Sequence, residues 1–278
     1  MREMYPRFPM GRAKVFTLSY DDGVEQDVRF LELLRAYGVK ATFHLNSTFP
    51  PEDVTYPAGA IHRRMPALRC QTVYDEPLAE VAGHTVTHPR LETLPDHLAA
   101  WELVEDRLRL ERLFKRPVTG FAYPYGSFSE RTLAILRATH VFDYARDTVS
   151  THTFDLPEDW LQLHSTCHHN EPQLMELAER FVSGTPERAP WWFSVRGHAY
   201  EFERDDNWDC LENLLKAVAG RDDIWYATLG EAYAFFSAYD RLEVGPDGAF
   251  LRNPSAREAC LVLDGQPLCV PAGATLRR

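Results

Sequence analysis

The chain has 278 residues, which is long enough to bury a sizeable core in one large domain or in a domain with an appendage. It carries 30 basic and 41 acidic residues, and the net charge of −11 disfavours a nucleic acid or an anionic membrane as a partner. No apolar run approaches the ~20 residues of a membrane-spanning helix.

The five cysteines are odd in number and share no close spacing, which predicts free thiols in a reducing compartment. No signal peptide is visible before the first apolar run. We therefore expect a cytoplasmic protein, or a secreted one if a signal sequence has been removed.

Apolar runs alternate with helical patterns from residue 15 to residue 239. Strands are predicted at residues 15–20, 39–45, 78–82, 118–122, 141–145, 160–164, 191–195 and 224–228. Helices are predicted at residues 25–37, 94–114, 130–139, 172–182, 210–218 and 231–239. In the second of these helices Leu98, Trp101, Val104 (or Glu105) and Leu108 lie on one side. This alternation is typical of a mainly parallel sheet or barrel with helices outside.

Two segments depart from this alternation. Residues 49–68 contain four prolines and are predicted to form a surface loop. After residue 240, turn sequences such as residues 245–248 and 264–265 separate short apolar runs. We therefore predict an α/β domain over residues 1–240 and a small β-rich extension over residues 241–278.

Two adjacent carboxylates, Asp21 and Asp22, follow the first predicted strand. If that strand ends at Tyr20, both lie at its carboxyl edge, where α/β folds place their chemistry. Read alone, an Asp-Asp-Gly sequence also fits a helix N-cap followed by a turn glycine.

Two histidines follow the third predicted strand. His84 and His88 are four residues apart, so both imidazoles face one point if the segment makes a helical turn. With a carboxylate from another strand end they form a set that leaves open positions on a divalent metal. Asp22 is the natural third ligand, and Asp21 then remains free to act as a base.

Three segments, taken in order, resemble the motifs of the metal-dependent polysaccharide deacetylases, the chitin- and peptidoglycan-deacetylase type of carbohydrate esterase. They are Ser19-Tyr20-Asp21-Asp22-Gly23, His84-Thr85-Val86-Thr87-His88-Pro89 and Tyr123-Pro124-Tyr125-Gly126. The resemblance covers residues 15–239. It implies a distorted (β/α) barrel, usually of seven strands, and hydrolysis of an N-acetyl or O-acetyl group on a sugar of a glycan or glycoconjugate.

The resemblance also implies roles for individual residues. Asp21 matches the catalytic base, and Tyr125 matches the tyrosine whose backbone N–H helps to bind the oxyanion. Asp22, His84 and His88 match the ligands of a divalent metal, for which zinc is the expected ion.

A general acid is needed because an amide leaves poorly as an anion. His198 is the candidate, since it follows an apolar strand and imidazole titrates in the useful range. It resembles the late histidine to which the family assigns this role, although the usual leucine-containing signature is absent. The alternative is a histidine that is merely hydrogen-bonded at a strand end.

One position departs from the family pattern. Members typically have an arginine two residues before the proline of the third motif, paired with the catalytic carboxylate, and here that position is Ala122. Arg146 closes the next predicted strand, and consecutive barrel strands are usually neighbours. We predict that Arg146 supplies the missing guanidinium; the alternative is a solvated loop arginine.

Two rival functions remain open. One is an amidase of the same superfamily that acts on a non-sugar C–N bond, with or without a metal; retention of the three metal-ligand positions argues for a metal. The other, motivated by Ala122, is an inactive carbohydrate-binding protein, and intact Asp21 and His198 argue against it. His164, His168 and His169 are predicted to line a polar substrate cleft, with a second metal site as the alternative.

Overall fold

The structure is a computed structural model that describes residues 3–246 and 249–277. Its strands are β1 (Met4–Arg7), β2 (Lys14–Asp21), β3 (Ala41–Leu45), β4 (Ala79–Gly83), β5 (Gly120–Ala122), β6 (Tyr144–Ser150), β7 (Leu163–Ser165), β8 (Cys167–His168), β9 (Trp191–Gly197), β10 (Ile224–Tyr226), β11 (Glu243–Val244), β12 (Phe250–Arg252), β13 (Ala259–Leu263), β14 (Gln266–Val270) and β15 (Thr275–Arg277). Its α-helices are α1 (Asp27–Tyr37), α2 (Ala67–Val73), α3 (Asp96–Phe114), α4 (Glu130–Thr139), α5 (Leu174–Ser183), α6 (Ala199–Arg204), α7 (Trp208–Val218) and α8 (Leu229–Asp240).

The central sheet of the described chain has nine strands, all paired in parallel. Eight follow the order β7-β6-β5-β4-β3-β2-β9-β8, and β10 lies beside the first half of β2. The end strands β7 and β8 are separated in the chain only by Thr166, so the sheet curls until its two ends meet. The Thr166 N–H donates to the Ser194 carbonyl of β9 at 2.8 Å, which joins the ends. The predicted α/β barrel is confirmed, although its strand count exceeds the expected seven.

Side chains of β2 alternate between the helices and the barrel interior, because successive strand residues point to opposite faces. Phe16, Leu18 and Tyr20 belong to the main apolar cluster. Ser19 and Asp21 lie on the other face and contact one arginine of β6 inside the barrel. The interior therefore contains a polar column that leads to the carboxyl ends of the strands.

The largest boundary differences fall between residues 139 and 166. The strand predicted at 141–145 begins only at Tyr144 and continues to Ser150. The strand predicted at 160–164 starts as a 3-10 turn and pairs only from Leu163. Asp159 caps that turn by accepting the Leu161 N–H at 2.9 Å, a contact that apolar periodicity does not reveal. Helix α2, whose first residues fall in the predicted loop, was also not predicted.

Helix α3 turns its apolar side toward solvent. Its buried side includes the carboxylates of Glu102 and Asp106. Both accept hydrogen bonds from chain segments described in the next section. The four residues grouped by periodicity do share a side, but it is the exposed side: Leu98 is 43%, Trp101 46%, Val104 37% and Leu108 40% exposed.

The predicted β-rich extension is confirmed as two small antiparallel sheets, β1-β13-β14 and β11-β12-β15. Strand β1, which the sequence did not predict, comes from the other end of the chain. Of the predicted turn at residues 245–248, Asp247 and Gly248 lie outside the described residues. The division into domains at residue 240 stays a prediction. No helix in the described chain is long and apolar enough to cross a membrane.

The expectation of five free thiols is wrong. Cys260 of β13 and Cys269 of β14 form a disulfide, whereas Cys70, Cys167 and Cys210 are free. The two bonded cysteines are direct cross-strand partners in a hairpin. Their separation of nine residues showed no recognisable framework, because only the strand register places the two sulfurs opposite each other.

Thiol titration tests the disulfide. Protein denatured without reductant should expose three reactive thiols, and protein denatured after reduction should expose five. Replacing Cys260 by Ser should also destabilise the extension by about 2–3 kcal/mol, the loop-entropy value for a ring of this size. Cys210→Ser, which removes a free thiol, is the matched control. Five reactive thiols before reduction would contradict the disulfide.

Candidate active site

Asp21 and Asp22 reach the same end of the barrel by different backbone conformations. Strand β2 ends at Asp21. A further extended residue would point away from the barrel interior. Asp22 instead has a φ of 81°, in the left-handed region, and its N–H donates to the His44 carbonyl at 3.0 Å. As a result the Nε2 atom of His198 lies 3.9 Å from Asp21 Oδ2 and 4.0 Å from Asp22 Oδ2.

Asp21 is held through one carboxylate oxygen. The Arg146 guanidinium donates a very short hydrogen bond to Oδ1, and His44 Nδ1 lies 3.2 Å from the same atom. Arg146 also donates to Ser19 Oγ and to the Asp147 carbonyl, both at 3.0 Å, so its orientation is fixed. The second oxygen, Oδ2, is left facing the site.

The guanidinium reaches Asp21 from the strand next to the one that carries the family position. Ala122 of β5 and Arg146 of β6 are direct cross-strand partners. Burial alone would raise the pKa of Asp21, but the Arg146 charge and the His44 hydrogen bond hold that pKa well below its usual value. This placement supports the prediction that Arg146 replaces the arginine missing at position 122.

Asp22, His84 and His88 offer one ligand atom each, and these atoms lie within 4.8 Å of one another. The segment does not make the expected helical turn. Thr85 and His88 have φ values of 69° and 60°, and these left-handed residues bring the two imidazole rings to a centroid distance of 4.8 Å.

The two buried carboxylates of α3 fix this histidine segment. Asp106 accepts the backbone N–H groups of Ser47 and His84, both at 3.0 Å. Glu102 accepts the Thr87 N–H at 2.9 Å and the Thr87 hydroxyl at 2.6 Å. The ligand geometry therefore depends on a helix that contributes no ligand itself.

The protonation states of these three residues suit a divalent cation. His84 Nδ1 donates to the Ala122 carbonyl at 2.7 Å, which leaves the Nε2 lone pair facing Asp22. Burial lowers the pKa of His84 to about 4 and also lowers that of His88. Burial would raise the pKa of Asp22, but a hydrogen bond from His62 and the nearby His84 lower it to about 2. One anionic oxygen and two neutral imidazoles form a donor set of the zinc type.

His198 lies at the N-terminus of α6 with Glu201 beneath its ring. Its Nδ1 lies 3.4 Å from Glu201 Oε2, an oxygen that also accepts the His198 N–H at 3.1 Å. Burial would lower the pKa of His198, but the Glu201 hydrogen bond and the charges of Asp21 and Asp22 raise it. The imidazolium form is therefore favoured, as a general acid requires.

Tyr125 lies in a turn beside the histidine segment. It has a φ of 61°, and the turn is closed by a 2.8 Å hydrogen bond from the Gly126 N–H to the Tyr123 carbonyl. Its ring packs against His88 at 4.6 Å between centroids and under the Arg90 guanidinium at 4.4 Å. The Tyr125 N–H has no acceptor within the described chain, so it is available to a ligand.

The predicted histidine cluster divides between two places. His168 and His169 face Glu201, with Nε2 atoms 3.1 Å and 3.5 Å from Oε2. His164 lines a separate polar cavity of about 290 Å³ together with Asp155.

Three residues near the site were missed by sequence reasoning. His62 Nε2 lies 3.0 Å from Asp22 Oδ2, and Arg64 donates to the Asp22 carbonyl at 3.2 Å. Both belong to the proline-containing segment predicted as a surface loop, where the run of three basic residues at 62–64 was the available signal. His44 lies within an apolar strand and gave no signal beyond its polarity.

Comparison with known proteins agrees with this geometry. Residues 10–141 match the family model described as Polysaccharide deacetylase. This match confirms the resemblance seen in the motifs, and residues 10–141 belong to the polysaccharide deacetylase family. No curated protein sequence matches the chain.

Solved structures support the fold. A proposed polysaccharide deacetylase from Mycobacterium smegmatis is 14% identical, with a TM-score of 0.55 over 85% of this chain and 94% of that one. A family 4 carbohydrate esterase from Streptomyces lividans in complex with acetate is 12% identical, with a TM-score of 0.50 over 80% and 95%. A Streptococcus pyogenes deacetylase in complex with acetate is 20% identical, with a TM-score of 0.44 over 52% and 61%. The chain thus spans under two thirds of this last protein.

Substitution of Arg146 tests its contact with Asp21. Arg146→Lys should lower turnover and move the acidic limb of the pH–rate profile upward by roughly 1–3 pH units, because a less well-placed cation stabilises the carboxylate less. Metal content should not change. Arg137→Lys, which alters a surface ion pair with Asp159, is the matched control. If Arg146→Ala kept the wild-type rate and acidic limb, another group would have to orient Asp21.

Substitution of Glu201 tests the environment of His198. The Glu201 carboxylate raises the pKa of His198, so Glu201→Gln should lower that pKa and move the alkaline limb of the profile to lower pH. Glu203→Gln, on the same helix and paired with Arg63, should leave the limb in place. An unmoved alkaline limb in Glu201→Gln would show that His198 does not set it.

Proposed function

We propose that the protein is a divalent-metal-dependent hydrolase that removes acetyl groups from N-acetylated sugars of a glycan or glycoconjugate. The observation that carries the proposal is the meeting of two kinds of group at one end of the barrel. A three-residue donor set of the zinc type lies beside a buried, ionised carboxylate and a histidine held in its protonated form. The family match over residues 10–141 supports the reaction class.

Asp22, His84 and His88 would hold the metal ion. When bound, such an ion lowers the pKa of a water molecule and polarises an acetyl carbonyl. Asp21 accepts the proton of the attacking water at Oδ2, the oxygen that Arg146 and His44 leave free.

His198 and Tyr125 act on the other side of the reacting carbonyl. The Tyr125 N–H donates to the oxygen that becomes negatively charged, which stabilises the tetrahedral state. His198 donates its Nε2 proton to the leaving nitrogen, while Glu201 holds Nδ1. An O-acetyl ester has a better leaving group, so it depends less on His198.

Acetate release from a panel of N-acetyl and O-acetyl sugars, with and without chelator, tests the proposal. We expect release from N-acetyl sugars that chelator abolishes and that added zinc restores. Asp21→Asn should keep the metal but lose roughly 10²–10⁴ in turnover, the usual size of general-base catalysis. His198→Ala should lose a similar factor on amides and less on esters.

Metal analysis supplies a readout that does not depend on activity. Protein purified without added metal should contain near-stoichiometric metal, and His84→Ala should contain much less. His97→Ala, which removes an exposed histidine of α3, is the matched control. Equal metal content in His84→Ala and the wild type would overturn the ligand assignment. Release from a non-sugar N-acetyl compound alone would identify an amidase, and no release from any substrate would refute the deacetylase proposal.

A further inference from the structure

The exposed apolar side of α3 forms a continuous stripe, here called the α3 stripe. At 100° per residue it lies opposite the buried side of the helix, so it faces directly away from the protein. Single exposed apolar residues are ordinary, but an aligned row of them is typical of an interaction site. The guanidinium of Arg109, 5.7 Å from the Trp101 ring centroid, provides partial cover. The stripe consists of Leu98, Trp101, Val104 and Leu108.

The spacing of the stripe is complementary to itself. In an antiparallel pair of identical helices, residues whose numbers add to a constant lie opposite each other. Leu98 and Leu108 add to 206, and Trp101 and Val104 add to 205. One register therefore places Leu98 against Leu108 of a second copy and the large Trp101 against the small Val104.

The charges along α3 favour the same orientation. Its outward residues before position 106 include Asp96 and Glu105 and no Lys or Arg, and those after it are mainly basic. An antiparallel pair sets the acidic half of each helix against the basic half of the other, and it also opposes the two helix dipoles. A parallel pair would set like charges together. The charged residues of the second half are Arg107, Arg109, Glu111 and Arg112.

We propose that the α3 stripe is the two-fold interface of a homodimer in which α3 packs antiparallel against α3 of a second copy. A C₂ contact uses the same patch on both subunits, which the self-complementary spacing satisfies. One helix pair buries less surface than a permanent dimer requires, so the dimer forms reversibly with concentration.

Sedimentation velocity on the full chain tests the dimer between about 1 and 200 µM, the range in which a small interface associates. The wild type should shift from monomer toward dimer, and Trp101→Glu should stay monomeric throughout. Val149→Glu removes an apolar side chain of similar exposure, 49%, from the end of β6 and should dimerise as the wild type does. If Trp101→Glu does not fold, Val104→Lys replaces it. A wild type that stays monomeric, or a Trp101→Glu dimer, would overturn the proposal.

Cysteine cross-linking tests the orientation. In the antiparallel register, two copies of Leu98→Cys hold their thiols about 15 Å apart along the helix, ten residues at 1.5 Å each. Neither Leu98→Cys nor Leu108→Cys should then form a disulfide-linked dimer alone, but a mixture of the two should. The wild type, with its three free cysteines, is the background control. Efficient linking of Leu98→Cys with itself would overturn the antiparallel arrangement.

Discussion

The rest of the site depends on a negative charge kept inside the barrel. The side chain of Asp21 is 8% exposed and that of Arg146 is 2% exposed. A buried carboxylate remains ionised only if a paired cation and hydrogen bonds replace the water it has lost. Arg146 provides the cation, and its other donors bind Ser19 and a backbone carbonyl, so the guanidinium is itself satisfied. The polar column inside an otherwise apolar fold follows from this requirement.

A second constraint acts from outside the barrel. The segment that carries His84 and His88 contains left-handed residues, which are costly without glycine. Glu102 and Asp106 offset that cost by accepting the backbone N–H groups of the segment. Burial raises the pKa of Asp106 to about 7, so the helix accepts an unfavourable residue in its core-facing side. The orientation of α3 is therefore set by the site rather than by apolar content.

The sequence predicted much of this arrangement because strand ends in parallel sheets meet at one edge. That rule correctly anticipated that Asp21, Asp22, His84 and His198 would meet there. Features that depend on register or on a single backbone dihedral were not predictable. The disulfide needed the hairpin register, and the convergence on Asp22 needed its positive φ. The orientation of α3 was misjudged because periodicity identifies a side of a helix but not which side faces the core.

The pairing of β1 with β13 has a consequence for how the protein is made. Met4 pairs with Leu263, so two strands of one small sheet are separated by almost the whole chain. Synthesis delivers β1 first and its partner last. The barrel can assemble from neighbouring β–α units while the chain emerges, but β1 must wait unpaired until translation is nearly complete. The small sheet therefore closes late, and it holds together the two ends of a chain whose middle has already folded.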